Sequence, residues 1–140
     1  MRTMEYSIEV ITLPVSDVDR AIRFYVDLVG FTLDVDYSPK DTFRVVQLTP
    51  PGSGCSIQIG KQLTDAPAGS VRNIYLVVSD IEAARCFLLE RGVEVSAVRH
   101  KTPPEAWDGG FAPGLDTARK DYASSASFSD ETGNELMPSA

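Results

Sequence analysis

The sequence has very few histidines and cysteines and no long apolar run. It contains one histidine and two cysteines, Cys55 and Cys86, without the dense pairing of small secreted domains. No stretch approaches eighteen consecutive apolar residues, and the N-terminus, with Arg2, Glu5 and Glu9 close together, lacks the apolar segment of a signal peptide. We therefore expect two free thiols, no membrane partner and a cytoplasmic location.

Positive charge is also scarce. Lysine and arginine number 13 against 20 aspartates and glutamates, which gives a formal net charge of −7. The electrostatic field of this negative charge repels phosphate backbones, and the basic residues are scattered along the chain. Nucleic acid is therefore not an expected partner. A cationic or neutral small molecule is compatible with the field, although an acidic surface also simply keeps a protein soluble. Gly-X-Ser-X-Gly, phosphate-loop and Cys-X-X-Cys motifs are missing.

A short phrase occurs twice in the chain. Val15-Ser16-Asp17-Val18 and Val78-Ser79-Asp80-Ile81 each follow a stretch in which apolar residues alternate, and each precedes an apolar stripe at helical spacing. Each copy therefore predicts a strand that runs into a helix. Ser79 with Glu82 predicts a capping box at the second helix, and Ser16 with Asp19 a shorter version at the first.

The repeat predicts one domain made of two similar modules. At 140 residues the chain is long enough for a single compact domain. Module one covers about residues 6–60 with the order β-α-β-β-β, residues 61–72 connect the modules, and module two covers about 73–140. In module two we expect a helix over 81–91, strands over 93–99 and 122–129, a strand over 135–137 that is barely completed, and an irregular loop over 101–120. A loop of that length is usually functional or disordered, and its aromatic residues favour a lid.

The two Ser-Asp helix starts are accompanied by a pattern of Ala21, Phe24, Tyr25, Gly30 and Phe31 and by a turn over residues 128–134. With these features the sequence resembles the vicinal oxygen chelate superfamily, which includes glyoxalase I enzymes, bleomycin-resistance proteins and extradiol dioxygenases. The resemblance implies an α+β fold in which two tandem β-α-β-β-β modules form curled mixed sheets around a cup, with the helices outside. It also implies that a second chain commonly completes the cup, so we expect a homodimer.

The resemblance also implies where metal ligands would lie. In metal-dependent members they occupy strand positions that correspond here to Val10, Gln58, Asn73 and Met137. Valine has no lone pair, the methionine thioether is a soft ligand, and the two amides bring no charge. We therefore expect no metal and no other cofactor.

Strand alternation predicts which side chains line the cup. If the apolar partners on each strand face the helix, then neutral polar and aromatic groups face inward, as is typical of pockets for organic molecules. The candidate substrate-binding residues are Thr12, Gln47, Gln58, Asn73, Tyr75, Trp107 and Tyr122. Trp107 could equally cover the apolar surface of its own loop.

Three functions fit this sequence. The first is a glyoxalase/bleomycin-resistance-like protein that binds a small organic molecule in a metal-free cup. The second is a lyase, isomerase or dioxygenase-like enzyme of the same fold, with or without a metal, in which His100 acts as acid and base near neutral pH. The third is a ligand-sensing or purely structural module. A lone histidine at a strand end is also commonly just exposed, so whether the chain is an enzyme stays open.

Overall fold

The structure is a computed structural model that describes residues 2–140, and the chain divides into two compact units. The first unit ends at Ser70, and the second covers Val71–Ala140. Both units contain strands and helix, so the fold is of the mixed α+β class. No helix among the described residues is long and apolar enough to cross a membrane.

The first unit has the predicted order β-α-β-β-β. Its elements are β1 (Val10–Thr12), α1 (Val18–Ile22) continued by a π-helix (Arg23–Val29), β2 (Thr32–Lys40), β3 (Phe43–Thr49) and β4 (Ser56–Lys61). The four strands form one sheet in the order β1-β4-β3-β2. β1 runs parallel to β4, and the other two pairs are antiparallel.

The second unit repeats the strand-to-helix start and then departs from the first. Its elements are β5 (Ile74–Val77), α2 (Ile81–Glu90), β6 (Arg99–Thr102), β7 (Gly110–Pro113), β8 (Ser124–Ser125), β9 (Phe128–Ser129) and β10 (Glu135–Ser139). The sheet order is β5-β10-β8-β6-β7, and β9 pairs with β10. β5 runs parallel to β10, as β1 does to β4.

Aspartates begin both helices, and the predicted serine caps are wrong. The carboxylate of Asp17 accepts the backbone N–H of Arg20, and that of Asp80 accepts those of Glu82 and Ala83. An aspartate in extended conformation at this position satisfies free amides and places negative charge at the positive end of the helix. Gly30, at φ 93°, ends the first helix in the left-handed conformation that glycine adopts readily.

Two predicted segments of the second unit differ from the structure. Residues 93–98 do not form a strand. The carbonyl of Ser96 accepts a hydrogen bond from a side chain, Arg85 Nε at 2.8 Å, while its N–H donates to the carbonyl of Ser127 at 2.9 Å. The predicted irregular loop contains β7, which pairs with β6 as a hairpin. Four residues that include glycine and proline carry too little periodicity to reveal this strand.

The end of the chain also forms more strand than predicted. The segment over 122–129 is divided into β8 and β9, and Tyr122 lies before them in a turn at φ 60°. β10 continues to Ser139 because it pairs with β5 on one side and with β8 and β9 on the other. These cross-strand bonds are not visible in the local sequence.

Candidate functional site

Three of the predicted binding residues form one row across the first sheet. Thr12 lies opposite Gln58 on the neighbouring strand, and Gln58 lies opposite Gln47 on the next. The Gln58 side-chain Nε2 donates to Thr12 Oγ1 at 2.7 Å. The row is half-buried, so its amide and hydroxyl groups lie at the sheet surface, and the hydrogen bond holds Gln58 against Thr12.

The opposite face of this sheet is packed. Val46 lies opposite Ile59, and Leu48 lies opposite Ile57, and all four side chains are buried. The alternation predicted for these strands is therefore confirmed. It leaves the polar row on the open face, where Val35 is the next residue in the row.

A cleft of about 450 Å³ lies at the end of β1 in the same unit. Its wall includes Thr12, the start of α1, Arg44, the end of β4 and part of the loop over 62–68. Thr12 is the only predicted site residue on this wall, so the cleft adjoins the polar row at one point.

Arg44, on the cleft wall, forms ion pairs with two carboxylates. Its Nε and Nη2 donate to the two Oδ atoms of Asp36 at 3.0 and 2.8 Å, and its Nη1 donates to Asp19 at 2.8 Å. The hydrogen bonds from Arg44 lower the pKa of Asp36, and the two carboxylates raise the pKa of Arg44 further above its usual range. Arg44 therefore joins α1 to the sheet as a permanent cation.

In the second unit, β5 exposes large side chains on one face. Tyr75 is 54% exposed and Val77 is 72% exposed, and they lie opposite Met137 and Ser139 of β10. Asn73 is exposed just before the strand, at φ 62°. This face presents an apolar surface with an amide at its edge.

The same face continues across the sheet to two cations and two aromatic rings. Arg99 lies opposite Ser125, and Lys101 lies opposite Phe111. The Phe111 ring packs edge-on against Trp107, with centroids 5.7 Å apart. Sequence reasoning identified only Trp107 in this group. The alternating pair Arg99 and Lys101 around His100 was the signal that could have revealed the basic residues.

The structure does not bring His100 to this face. His100 lies opposite Ser124 and Ala112, one position out of phase with Arg99, and alternate strand residues point to opposite faces. Its Nδ1 is 2.8 Å from the carbonyl of Gly114, which fixes the ring. A catalytic role for His100 stays a prediction, as does a binding role for the exposed Tyr122 in its turn.

The positions that would hold a metal offer poor ligands in each unit. In the first unit they are Val10 and Gln58, and the Gln58 amide is already bonded to Thr12. In the second unit they are the exposed Asn73 and the buried Met137. Among residues 2–140 there is no group of three or more His, Cys, Asp or Glu side chains that could hold a metal ion. These donors do not fit a hard divalent ion.

Comparison with known proteins identifies the family. The model of the Glyoxalase/Bleomycin resistance protein/Dioxygenase superfamily matches residues 7–137, so the chain belongs to that superfamily. The resemblance found in the sequence is thereby confirmed. A search of curated proteins found no match.

Solved structures of the family superimpose on nearly the whole chain. TnmS3, an antibiotic binding protein from Streptomyces sp. CB03234, is 28% identical, with a TM-score of 0.74 over 99% of this chain and 98% of its own. A glyoxalase/bleomycin resistance protein from the same Streptomyces strain is 30% identical, with a TM-score of 0.70 over 96% and 100%. A superfamily member from Sphaerobacter thermophilus DSM 20745 shares the fold, at 24% identity and a TM-score of 0.71 over 98% of each chain.

Proposed function

We propose that this chain is a binding protein that holds a small organic molecule on an open face of its sheets. The observation that carries this proposal is the row of Thr12, Gln58 and Gln47, which lies beside the exposed Val35. A few fixed polar groups within an apolar surface are typical of pockets for organic ligands. In this proposal the row forms hydrogen bonds with the ligand.

The second unit supplies further candidate contacts. Tyr75 and Trp107 are exposed aromatic side chains that offer ring faces to a ligand, and Asn73 offers an amide next to Tyr75. Tyr122 is also exposed and carries a hydroxyl group. We assign these four residues to ligand binding as well.

The comparison with TnmS3 supports an antibiotic or a related metabolite as the ligand. TnmS3 is named an antibiotic binding protein, it is 28% identical, and the alignment covers nearly all of both chains. Members of one fold differ in chemistry, so the ligand class is part of the proposal.

The proposed binding does not use a resident metal or another cofactor. This part of the proposal is supported by the donor set at Val10, Gln58, Asn73 and Met137, which lacks an imidazole or carboxylate.

We further propose that the protein is a cytoplasmic homodimer. The exposed apolar side chains of Tyr75 and Val77 support association with a second copy, because large apolar surfaces gain free energy when water is removed. The free thiols of Cys55 and Cys86 are compatible with a reducing compartment. Light scattering on the purified protein is expected to give twice the mass of one chain, and the mass of a single chain would contradict the dimer.

Ligand binding can be tested with a panel of antibiotics that includes bleomycin. A compound at about 100 times its Kd is expected to stabilise the protein by about 2.7 kcal/mol, which raises the unfolding midpoint by several degrees. Gln47→Leu is expected to weaken that binding about tenfold by removing a hydrogen-bonding group. Asp65→Asn, at an exposed position that is not part of the row, is the control. The proposal is wrong if no compound in a broad panel shifts the midpoint, or if Gln47→Leu and Asp65→Asn behave alike.

A further inference from the structure

We propose that Arg99 and Ser125 form a subsite for the acidic oxygen of an aromatic ligand, with Phe111 and Trp107 against the ring of that ligand. The inference rests on the proposed binding function and names its ligand class, an aromatic acid. The juxtaposition that carries it lies entirely in the second unit, on the face of the sheet opposite His100.

The register places these two polar side chains next to each other. Ser125 lies opposite Arg99 on β6 and opposite Ser139 on β10, so Arg99 and Ser125 share one face of adjacent strands. Directly opposed side chains in an antiparallel pair have Cβ atoms about 4.5–5.5 Å apart. The two side chains are therefore close enough for one small ligand group to contact both once the Arg99 side chain turns toward it.

Each of the two side chains has a polar atom without a partner. Arg99 Nε and Ser125 Oγ are both buried and form no hydrogen bond with any described residue. Buried polar atoms are nearly always hydrogen-bonded, and an unsatisfied charged donor is especially costly. Two such atoms side by side indicate that a group outside the chain completes them. A guanidinium N–H donor and a hydroxyl group together match a carboxylate or phenolate oxygen.

The remaining contacts of Arg99 leave it able to turn toward a ligand. Its Nη1 lies 3.4 Å from Ser127 Oγ, which is at the long limit of a hydrogen bond. Its guanidinium carbon lies 4.8 Å from the centroid of the Phe111 ring. No carboxylate forms an ion pair with Arg99 among the described residues, in contrast to Arg44, which has two. The positive charge of Arg99 is therefore not neutralised within the unit.

An aromatic wall lies beside this polar pair. Trp107 is 41% exposed and Phe111 is 38% exposed, so both rings have surface available for a ligand. The indole N–H of Trp107 donates to the carbonyl of Gly110 at 2.7 Å, which fixes the ring orientation. Lys101 Nζ lies 4.3 Å from the centroid of the Trp107 ring. The wall thus combines rings with a second cation.

The local charge has the opposite sign to the charge of the whole chain. Arg99 and Lys101 lie on the same face two residues apart, whereas the chain carries a formal net charge of −7. Arg99 and Lys101 form a pair of cations at the subsite, and carboxylates more than about 10 Å away act on this pair only weakly because salt screens them. The subsite therefore selects an anion, even though the overall field favours a cation.

The test uses three naphthalene probes of nearly equal shape and different charge: 1-naphthoate, the neutral 1-naphthamide and the cationic 1-naphthylmethylammonium. Trp107 is the only tryptophan of the chain, so quenching of its fluorescence reports binding at the aromatic wall. Isothermal titration calorimetry gives an independent Kd. We expect naphthoate to bind at least about tenfold more tightly than the amide, because a charged pair adds to the ring contact.

Two variants and one control test whether Arg99 and Ser125 bind the carboxylate of naphthoate. Arg99→Gln is expected to weaken naphthoate binding about tenfold to a hundredfold and naphthamide binding only slightly. Ser125→Ala is expected to weaken naphthoate binding about threefold to tenfold without loss of folding, since it removes a hydroxyl that has no internal partner among the described residues. Arg119→Gln removes an exposed charge in the same unit and is expected to leave both Kd values unchanged.

The outcomes separate this inference from the proposed function. If the amide or the cationic probe binds as tightly as naphthoate, or if Ser125→Ala matches the wild type, the subsite is wrong while the binding function stands. If a crystal structure of the complex shows only water between Arg99 and Ser125 and naphthoate elsewhere, the subsite is also wrong. If no naphthalene probe and no antibiotic of the panel binds, the binding function itself is contradicted.

Discussion

At the scale of single residues, buried polar side chains organise the last turn of the second unit. Asp130 Oδ1 accepts the backbone N–H groups of Thr132, Gly133 and Asn134 at 2.8–3.0 Å. Asn134 Nδ2 donates to Asp130 Oδ2 at 2.9 Å, and Asn134 Oδ1 accepts the N–H of Val71 at 3.1 Å. The turn that carries part of the family resemblance is thus held by side chains, and it positions the start of β10.

Asn134→Ala tests this role of the turn. The substitution removes a fully buried amide and deprives both Asp130 and the Val71 N–H of a hydrogen-bond partner. We expect the free energy of unfolding to fall by about 2–4 kcal/mol, because buried polar groups that lose a partner keep their desolvation cost. Urea unfolding followed by circular dichroism measures it. A loss no larger than that of an exposed control such as Asp65→Ala would contradict this interpretation.

Asp36 gives the first unit a pH-dependent contribution to stability. Arg44 lowers the pKa of Asp36 below its usual 3.8, so folding favours the charged carboxylate. The stabilisation is fully present above pH 3.8 and is lost as the pH falls through the lowered folded-state pKa. The pair is partly exposed, so we expect a contribution of about 1 kcal/mol or less at neutral pH.

Asp36→Asn checks the sign of this effect. The variant is expected to be less stable than the wild type at neutral pH, and the difference in unfolding free energy should shrink as the pH falls below 3.8, where the wild-type carboxylate also becomes neutral. Urea unfolding at a series of pH values measures the difference. If the difference in unfolding free energy stays constant or increases in acid, Asp36 does not act through its charge.

At the scale of elements, close backbone packing explains the glycine in β4. Gly60 lies opposite Val45, and a Cβ at this position would come within 1.9 Å of the carbonyl oxygen of Arg44. A backbone atom cannot yield as the end of a side chain can. The pairing of β3 with β4, which positions Gln47 opposite Gln58, therefore requires glycine here.

Gly60→Ala is expected to destabilise the first unit by about 2 kcal/mol, in the range of overpacked positions. Gly54→Ala is the matched control, because a Cβ added at Gly54 would meet no other atom within 4 Å. We expect the control to change the unfolding free energy by less than about 0.5 kcal/mol. Thermal unfolding of both variants measures the difference, and equal midpoints would show that the strand pair tolerates the added methyl group.

At the scale of the whole molecule, the proposed absence of a resident metal distinguishes a binding protein from a classical metal-dependent member of the superfamily. We expect purified protein to contain far less than one equivalent of nickel, zinc or iron by elemental analysis. Treatment with EDTA is expected to leave the unfolding midpoint unchanged, since the residues at the corresponding positions include Val10 and Met137. A stoichiometric metal, or a lower midpoint after EDTA, would contradict the metal-free proposal.

The sequence by itself determined the class of fold and much of the first unit. The duplicated Ser-Asp phrase marked both strand-to-helix starts, and the predicted order β-α-β-β-β is that of the first unit. These features were readable because helical and strand periodicities, turn residues and the position of Gly30 are local signals. The alternation that places Gln47 and Gln58 on the open face is of the same kind.

Only the tertiary structure decided how the second unit is arranged. In the structure, the segment predicted as one strand before the last strand is divided into β8 and β9. β10 continues to Ser139, and β7 pairs with β6. The structure also places Arg99 opposite Ser125 and His100 on the other face. Those pairings depend on hydrogen bonds between residues distant in the chain, and a register that differs by one residue reverses the face of every side chain, so no local pattern could fix them.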